Sequence, residues 1–168
     1  TVEWLCSTES PFNSNSYPPL KGIYESEKEK RGVWSNGLMI KNLQHYSFTQ
    51  SFPPPPLGGN SMVMFGGVCA FDLSFDGGLT WNPVVAPSMD QISLNHTDDD
   101  AVASFFDIEM LSLNIAGGGM PGGIQIRESP TLASIGRMSE RIVPGGYMVS
   151  SFFDIFTEIS LDGGLTWS

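Results

Sequence analysis

The chain contains an internal repeat, and this repeat constrains the fold more than any other feature. Residues 62–81 and 148–167 align without a gap, and the segments that end them, SFDGGLTW and SLDGGLTW, differ at one position. In the later copy Phe153, Ile155 and Ile159 alternate with Asp154 and Glu158. Alternation with a period of two is typical of β-strands with one buried face. The repeat therefore predicts antiparallel strands joined by tight turns.

A third, shorter copy precedes the last one. Residues 102–108 match residues 149–155, and the match resumes at Ser112 only after the offset changes by one residue. A change of one residue between related strands commonly marks a β-bulge. We therefore expect a bulge in one of these copies.

Glycine and proline are abundant, and they favour turns and short strands. The 168 residues include 19 Gly and 12 Pro, while charged residues make up 15%. This balance predicts an all-β fold, an antiparallel β-sandwich or jelly roll. Residues 1–57 are expected to be an irregular N-terminal region with short strands, and residues 58–168 the repeated sandwich, within one compact domain. The boundary follows Pro53–Pro56, because proline donates no hydrogen bond to a sheet.

The formal net charge of −10 comes from the repeated part of the chain. Residues 42–168 hold three basic side chains and thirteen acidic ones. Such a surface repels phosphate groups, which argues against nucleic acid and anionic membranes as partners. No apolar run approaches the roughly 20 residues that span a bilayer. We therefore expect no nucleic-acid binding and no membrane insertion.

The pattern Ser-x-Asp-x-Gly-x-Thr-Trp occurs at residues 74–81 and 160–167. It resembles the Asp-box, or BNR repeat, of sialidases and other secreted β proteins. The resemblance implies a structural hairpin, in which the Asp carboxylate accepts N–H groups of the turn, Gly adopts positive φ and Trp packs over the turn. The residues concerned are Ser74, Asp76, Gly78, Thr80, Trp81, Ser160, Asp162, Gly164, Thr166 and Trp167.

The Asp-box resemblance carries no catalytic residue to this chain, and a longer pattern around the boxes, at residues 127–131 and 151–158, implies export. Residues 58–168 are similar to segments of uncharacterised secreted or surface proteins of environmental bacteria, so the protein is expected to be bacterial and extracellular or bound to the cell surface. A six-bladed sialidase needs more residues than this chain has, and an arginine cluster that its four scattered arginines do not form. The sequence therefore predicts no sialidase activity.

Two local features fit an extracellular protein. Cys6 and Cys69, the two cysteines, form a candidate disulfide, although a buried free thiol at Cys69 is the alternative. Asn95-His96-Thr97 is a glycosylation sequon, with Asn95 as the candidate site, or otherwise a polar turn.

The acidic residues supply the candidates for ligand chemistry. Asp98, Asp99 and Asp100 form a candidate Ca²⁺ site, for which the alternative is a solvated turn. Outward-facing acids on strands can also form the carboxylate pair of a glycoside hydrolase, or be merely solubilising. The acids considered are Asp107, Asp154 and Glu158. Neither histidine has a nearby Cys or His, so no zinc site is predicted, and no catalytic or cofactor site is assigned.

The predicted function is that of a non-enzymatic extracellular structural protein, a self-assembling subunit of a surface layer, matrix or filament. Residues 142–168 contain no Lys and a single Pro, which predicts an unprotected strand edge. We expect the N-terminal segment of a neighbouring copy to fill this edge and to bury Val2, Trp4 and Leu5.

Two other functions remain open from the sequence. The first is a carbohydrate-binding β-sandwich module that stacks sugars on exposed aromatic rings. The rings available to it are Trp4, Trp34, Tyr24, Tyr46 and Tyr147. The second is a fragment of a glycoside hydrolase.

Overall fold

The computed structural model describes residues 1–168 and contains β-strands and no helix. The ten strands are β1 (Val2–Phe12), β2 (Tyr24–Ser26), β3 (Gly32–Val33), β4 (Met39–Tyr46), β5 (Asn60–Ser74), β6 (Asn82–Asp99), β7 (Ala103–Ile115), β8 (Gln125–Glu128), β9 (Ser134–Val143) and β10 (Gly146–Ser160). The prediction of an all-β, antiparallel protein is confirmed.

The strands form one antiparallel sheet that closes into a barrel of eight strands. Its order is β1, β2, β4, β5, β6 and β7, followed by β8 and β9, which both pair with β7 and with β10. Pairing of β10 with β1 closes the ring. The sheet is therefore a continuous ring, and the expected sandwich or jelly roll of two layers is not observed. Closure pairs β1 with β10 along the whole length of β1, so β10 is not an edge strand of the sheet.

The N-terminal region is more regular than its sequence predicted. β1 is a strand of 11 residues in which Val2, Trp4, Cys6 and Thr8 are buried and the residues between them face solvent. The expectation of an irregular region is wrong here, because the apolar Leu5 points outward and the polar Thr8 points inward, which obscures the alternation. β1, β2 and β4 lie in the same sheet as the strands after residue 57.

The predicted open edge at residues 142–168 is also wrong. β10 pairs with β1 on one side and with β9 and β8 on the other. β10 contains no Lys or Pro to block pairing with another chain, because its neighbours in the barrel already occupy both of its edges.

The interior of the barrel holds a single cluster of 32 buried hydrophobic residues. A β-bulge lies between residues 108 and 112, in the copy that is one residue shorter: Met110 lies opposite Ile92 and Ser112 opposite Gln91, which leaves Leu111 unpaired. Around the ring, three strand positions separate β5 from β10 in either direction. Because neighbouring strands are antiparallel, β5 and β10 run in the same direction. The loops that follow them therefore lie at the same end of the barrel, on opposite sides.

Candidate functional site

The two SxDxGxTW segments form the loops that follow β5 and β10. In the first loop Asp76 Oδ1 accepts the backbone N–H of Leu79 (3.1 Å) and of Thr80 (2.9 Å), and Oδ2 accepts the Thr80 hydroxyl (2.6 Å). Ser74 Oγ donates to Asp76 Oδ1 and accepts the N–H of Gly78, both at 2.8 Å. Gly78 has a φ of 88°, which favours glycine.

The second loop has matching contacts. Asp162 accepts the N–H of Thr166 at 2.8 Å and its hydroxyl at 2.6 Å, while Ser160 Oγ donates to Asp162 and accepts the N–H of Gly164, both at 2.8 Å. Hydrogen bonds from the threonine hydroxyl and N–H lower the pKa of Asp162, as those from Thr80 lower the pKa of Asp76, to about 2 in each case. Both carboxylates are held by hydrogen bonds within their own loops, so their role in this structure is to stabilise the loops.

A cation covers the tryptophan of each loop. Lys41 Nζ lies 4.6 Å from the centre of the Trp81 ring, and the Arg127 guanidinium lies 4.0 Å from that of Trp167. Arg127 also donates to Glu158 at 2.8 Å. Sequence analysis missed both cations, although Lys41 and Arg127 are separated by the same 86 residues as the two loops.

β1 lies beside β10 in the position that β6 takes beside β5. After the first loop, Asn82 lies opposite Leu73 and Val84 opposite Phe71. After the second loop, Ser168 exchanges both backbone hydrogen bonds with Ile159, at 2.9 and 3.0 Å, and Val2 lies opposite Thr157. The ladder thus runs from Ser168 to Thr1 without a missing residue, although these residues belong to separate segments of the chain.

We call the pairing of Val2–Phe12 with residues 147–157 the β1–β10 seam. Within this single chain it buries Val2 and Trp4, whereas their burial against a neighbouring copy stays a prediction, and Trp4 meets Trp34 edge to face at 6.4 Å. The prediction that Leu5 is buried is wrong: Leu5 is 48% exposed because it points outward from the barrel.

A short polar segment joins β1 to the rest of the molecule. Asn13–Ser16 is followed by Tyr17, which is buried and exchanges backbone hydrogen bonds with Phe52 at 2.7 and 2.8 Å. The Tyr17 hydroxyl lies 2.7 Å from that of Tyr24. Residues 13–16 are therefore the linker between β1 and a fixed anchor at Tyr17.

A polar cluster lies inside the barrel, and sequence analysis missed it. His45 Nε2 lies 2.9 Å from Ser88 Oγ and 3.3 Å from Asp90 Oδ2, and Ser88 Oγ donates to Asp90 at 2.8 Å. Burial opposes the charge of His45, but Cys69 and Asp90 outweigh it and raise the pKa of His45 to about 10. Ser88 and Asp90 both contact the same imidazole nitrogen, so the histidine does not lie between them as in a nucleophilic triad. The buried charges pair instead.

Cys6 and Cys69 are free thiols, both buried in the barrel. Burial, with a smaller effect of Cys69, raises the pKa of Cys6. The disulfide between them stays a prediction.

The candidate Ca²⁺ residues lie at the turn between β6 and β7. Asp100 Oδ1 accepts the N–H of Val102 and of Ala103, both at 2.8 Å, and Asp99 Oδ1 lies 2.7 Å from His96 Nε2. Asp98 accepts the N–H of Asp99. These carboxylates organise the turn, and no group of three or more His, Cys, Asp or Glu side chains is arranged to hold a metal ion.

The three candidate hydrolase acids have different neighbours and do not line one common cleft. Asp107 lies 3.7 Å from Arg137, Glu158 pairs with Arg127, and Asp154 lies opposite Leu5 in the seam. The groove beside Asp107 is lined by Phe105, Arg137 and Phe152 among others and includes neither of the other acids.

The remaining candidates lie in different places on the barrel. Asn95 is exposed on β6, so the sequon is accessible. Of the aromatic rings considered for sugar binding, Trp4, Trp34 and Tyr24 are buried, whereas Tyr46 and Tyr147 are half-buried.

No protein-family model, curated protein or solved structure matches this chain. The resemblance to Asp-box proteins therefore stays a prediction. The structure has no helix of the length and apolar character that a membrane crossing needs.

Proposed function

We propose that this protein is a non-enzymatic structural subunit of an extracellular layer, matrix or filament, and that copies assemble by exchanging β1. The observation that supports the proposal is the β1–β10 seam. The loop after β10 leads to a position that a separate segment of chain occupies, whereas the loop after β5 continues directly into β6. A strand held in this way can come from the same chain or from another copy.

The contacts of the seam are the same in either case. β1 contributes Val2, Trp4, Cys6 and Thr8 to the core and pairs along its whole length with β10. Exchange therefore replaces contacts within one chain by identical contacts between two chains, as in domain swapping. The balance between the two forms then depends on protein concentration and on the linker.

The linker limits how the copies can meet. Residues 13–16 span at most roughly 14 Å when extended, at 3.3–3.6 Å per residue. A donating barrel must therefore lie close to the accepting one. Each copy gives one strand and accepts one, so exchange generates a closed ring or an open filament.

The two similar loop segments, at the same end of the barrel, support the Asp-box part of the proposal. Their matching hydrogen bonds and the matching registers of β5–β6 and β10–β1 are those expected of repeated hairpins. The extracellular setting and the bacterial source rest on the sequence resemblance.

Mixing two cysteine variants tests the exchange. Ser7 lies opposite Phe152 in the seam, and opposite residues of paired strands lie within reach of a disulfide. Ser7→Cys and Phe152→Cys chains, expressed separately and mixed at high concentration, are expected to form disulfide-linked dimers on mild oxidation. Electron microscopy of the unmodified protein is expected to show rings or filaments.

The control uses the hairpin that is continuous in the chain. Ala70 lies opposite Val85 across β5 and β6, which one loop joins. A mixture of Ala70→Cys and Val85→Cys chains is expected to give few linked dimers. Equal linkage in both mixtures, or a strictly monomeric protein at high concentration, contradicts the proposal.

A further inference from the structure

Two acidic side chains meet on the outer face of the seam. Glu3 of β1 lies opposite Phe156, and Asp154 of β10 lies opposite Leu5, so the two acids are diagonal neighbours across the strands. A hydrogen bond with the Glu3 side chain is one of the causes that raise the pKa of Asp154. Asp154 Oδ1 is shielded from solvent and has no hydrogen-bond partner. A shielded carboxylate oxygen that faces a second carboxylate is best satisfied when the pair carries one proton.

Charged groups of both signs lie near the pair. Burial first, and then Glu3, raise the pKa of Asp154, while Lys30 acts in the opposite direction. Lys30, Lys41 and Glu27 line the same small cavity as Glu3. On the β9 side, Arg137 lies opposite Phe152 and 3.7 Å from Asp107, and Glu109 lies opposite Ile135, the β9 neighbour of Asp154.

We propose that Glu3 and Asp154 form a pH-sensitive latch that sets how often β1 leaves the seam. The importance of this latch for assembly rests on the proposed function. With one shared proton the two carboxyl groups hold β1 against β10. Without it they repel each other, and this repulsion favours departure of β1 from the seam. The same pair forms when the β1 of another copy docks, so the latch changes the rate of exchange and not its end point.

The direction of the effect follows from proton linkage. The docked state binds the proton more tightly than the open state, because the pKa of Asp154 is raised only while Glu3 and the seam surround it. Protonation therefore stabilises docking at acidic pH, and this stabilisation is lost as the pH rises through the raised pKa. Exchange is expected to be fast near neutral pH and slow in acid.

Hydrogen–deuterium exchange on the dilute, monomeric protein measures the latch directly. After correction for intrinsic exchange, the peptide covering residues 1–12 is compared with a peptide from β6 at pH 5 and pH 7.5. Opening of β1 relative to β6 is expected to be several-fold more frequent at pH 7.5 than at pH 5.

Three substitutions test whether Glu3 and Asp154 cause the pH dependence of β1 opening. Asp154→Asn and Glu3→Gln supply an amide donor and are expected to keep β1 closed at both pH values. Glu9→Gln removes an acid of the same strand, opposite Ser150, and is expected to keep the pH dependence. If Asp154→Asn retained the full pH dependence, the latch would be wrong.

Light scattering on concentrated protein distinguishes failure of the latch from failure of the proposed function. Assembly that proceeds at the same rate at both pH values contradicts the latch and leaves strand exchange in place. A latch that operates in the monomer, in a protein that never assembles, supports the latch and contradicts the proposed function.

Discussion

At the scale of single residues, the carboxylates of this protein differ because their surroundings differ. Asp76 and Asp162 accept several hydrogen bonds within their loops, and their pKa values are lowered to about 2. Glu140 is 5% exposed, and its Oε1 atom has no hydrogen-bond partner. Burial raises the pKa of Glu140 to about 7, against the opposing effect of His96.

The raised pKa of Glu140 predicts a pH dependence of stability. Because the folded state binds this proton more tightly than the unfolded state, the contribution is complete below the ordinary pKa of 4.5 and is lost as the pH rises through about 7. Stability is expected to fall by about 3 kcal/mol between pH 4.5 and pH 8 through this group, and Glu140→Gln is expected to remove that fall. Urea denaturation at several pH values measures it.

The control is Glu9→Gln, which removes an exposed acid from β1. It is expected to leave the dependence on pH almost unchanged. An unchanged dependence in Glu140→Gln would assign the effect to another group.

At the scale of strands, close approach of the backbones requires glycine at particular positions. β9 lies between β7 and β10, and Gly136 lies opposite Phe153 and Ile108. A Cβ atom at Gly136 would lie 1.9 Å from the carbonyl oxygen of Phe152. This oxygen belongs to the backbone of β10, which cannot move without disturbing the barrel.

Gly136→Ala is therefore expected to destabilise the protein by about 1–3 kcal/mol, as overpacking of a core does. Gly122→Ala is the matched control, because a Cβ there meets no atom within 4 Å and the residue does not have positive φ. Thermal unfolding compares the two variants. Equal melting temperatures would show that β9 adapts to the added methyl group.

At the scale of the whole molecule, closure of the barrel depends on a pairing between segments from opposite ends of the sequence. Val2 lies opposite Thr157, and Ser168 lies opposite Ile159, so Thr1 follows Ser168 in the same ladder. A direct peptide bond between Ser168 and Thr1 would make the β10–β1 hairpin continuous, like the β5–β6 hairpin.

This geometry predicts that a circular permutant folds. With Ser168 joined to Thr1 and new ends opened within residues 13–16, the permutant is expected to be a monomer at concentrations where the parent chain assembles. Size-exclusion chromatography with light scattering compares them. Assembly of the permutant to the same extent would mean that the subunits meet by a surface other than the seam.

The local features of the structure were predictable from the sequence. Alternation of apolar and polar residues predicted β5 and β10, and the SxDxGxTW pattern predicted the two loops, because their hydrogen bonds join residues at most four positions apart. The change of one residue between copies indicated a bulge in one of them, but only the structure placed it at Leu111, in the shorter copy. In each case the interactions lie within one segment or in neighbouring strands.

Tertiary structure decided the features that depend on distant partners. Residues 6–12 mix polar and apolar side chains, and they belong to a strand because β10 pairs with all of them. The same pairing closes the sheet into a ring. His45 meets Ser88 and Asp90 because inward positions of β4 and β6 face the same interior. The sequence by itself determined the strands and turns, since these depend on local periodicity and backbone preference. Only the folded barrel decided which strands meet, because long-range pairing depends on how all the strands fit together around one core.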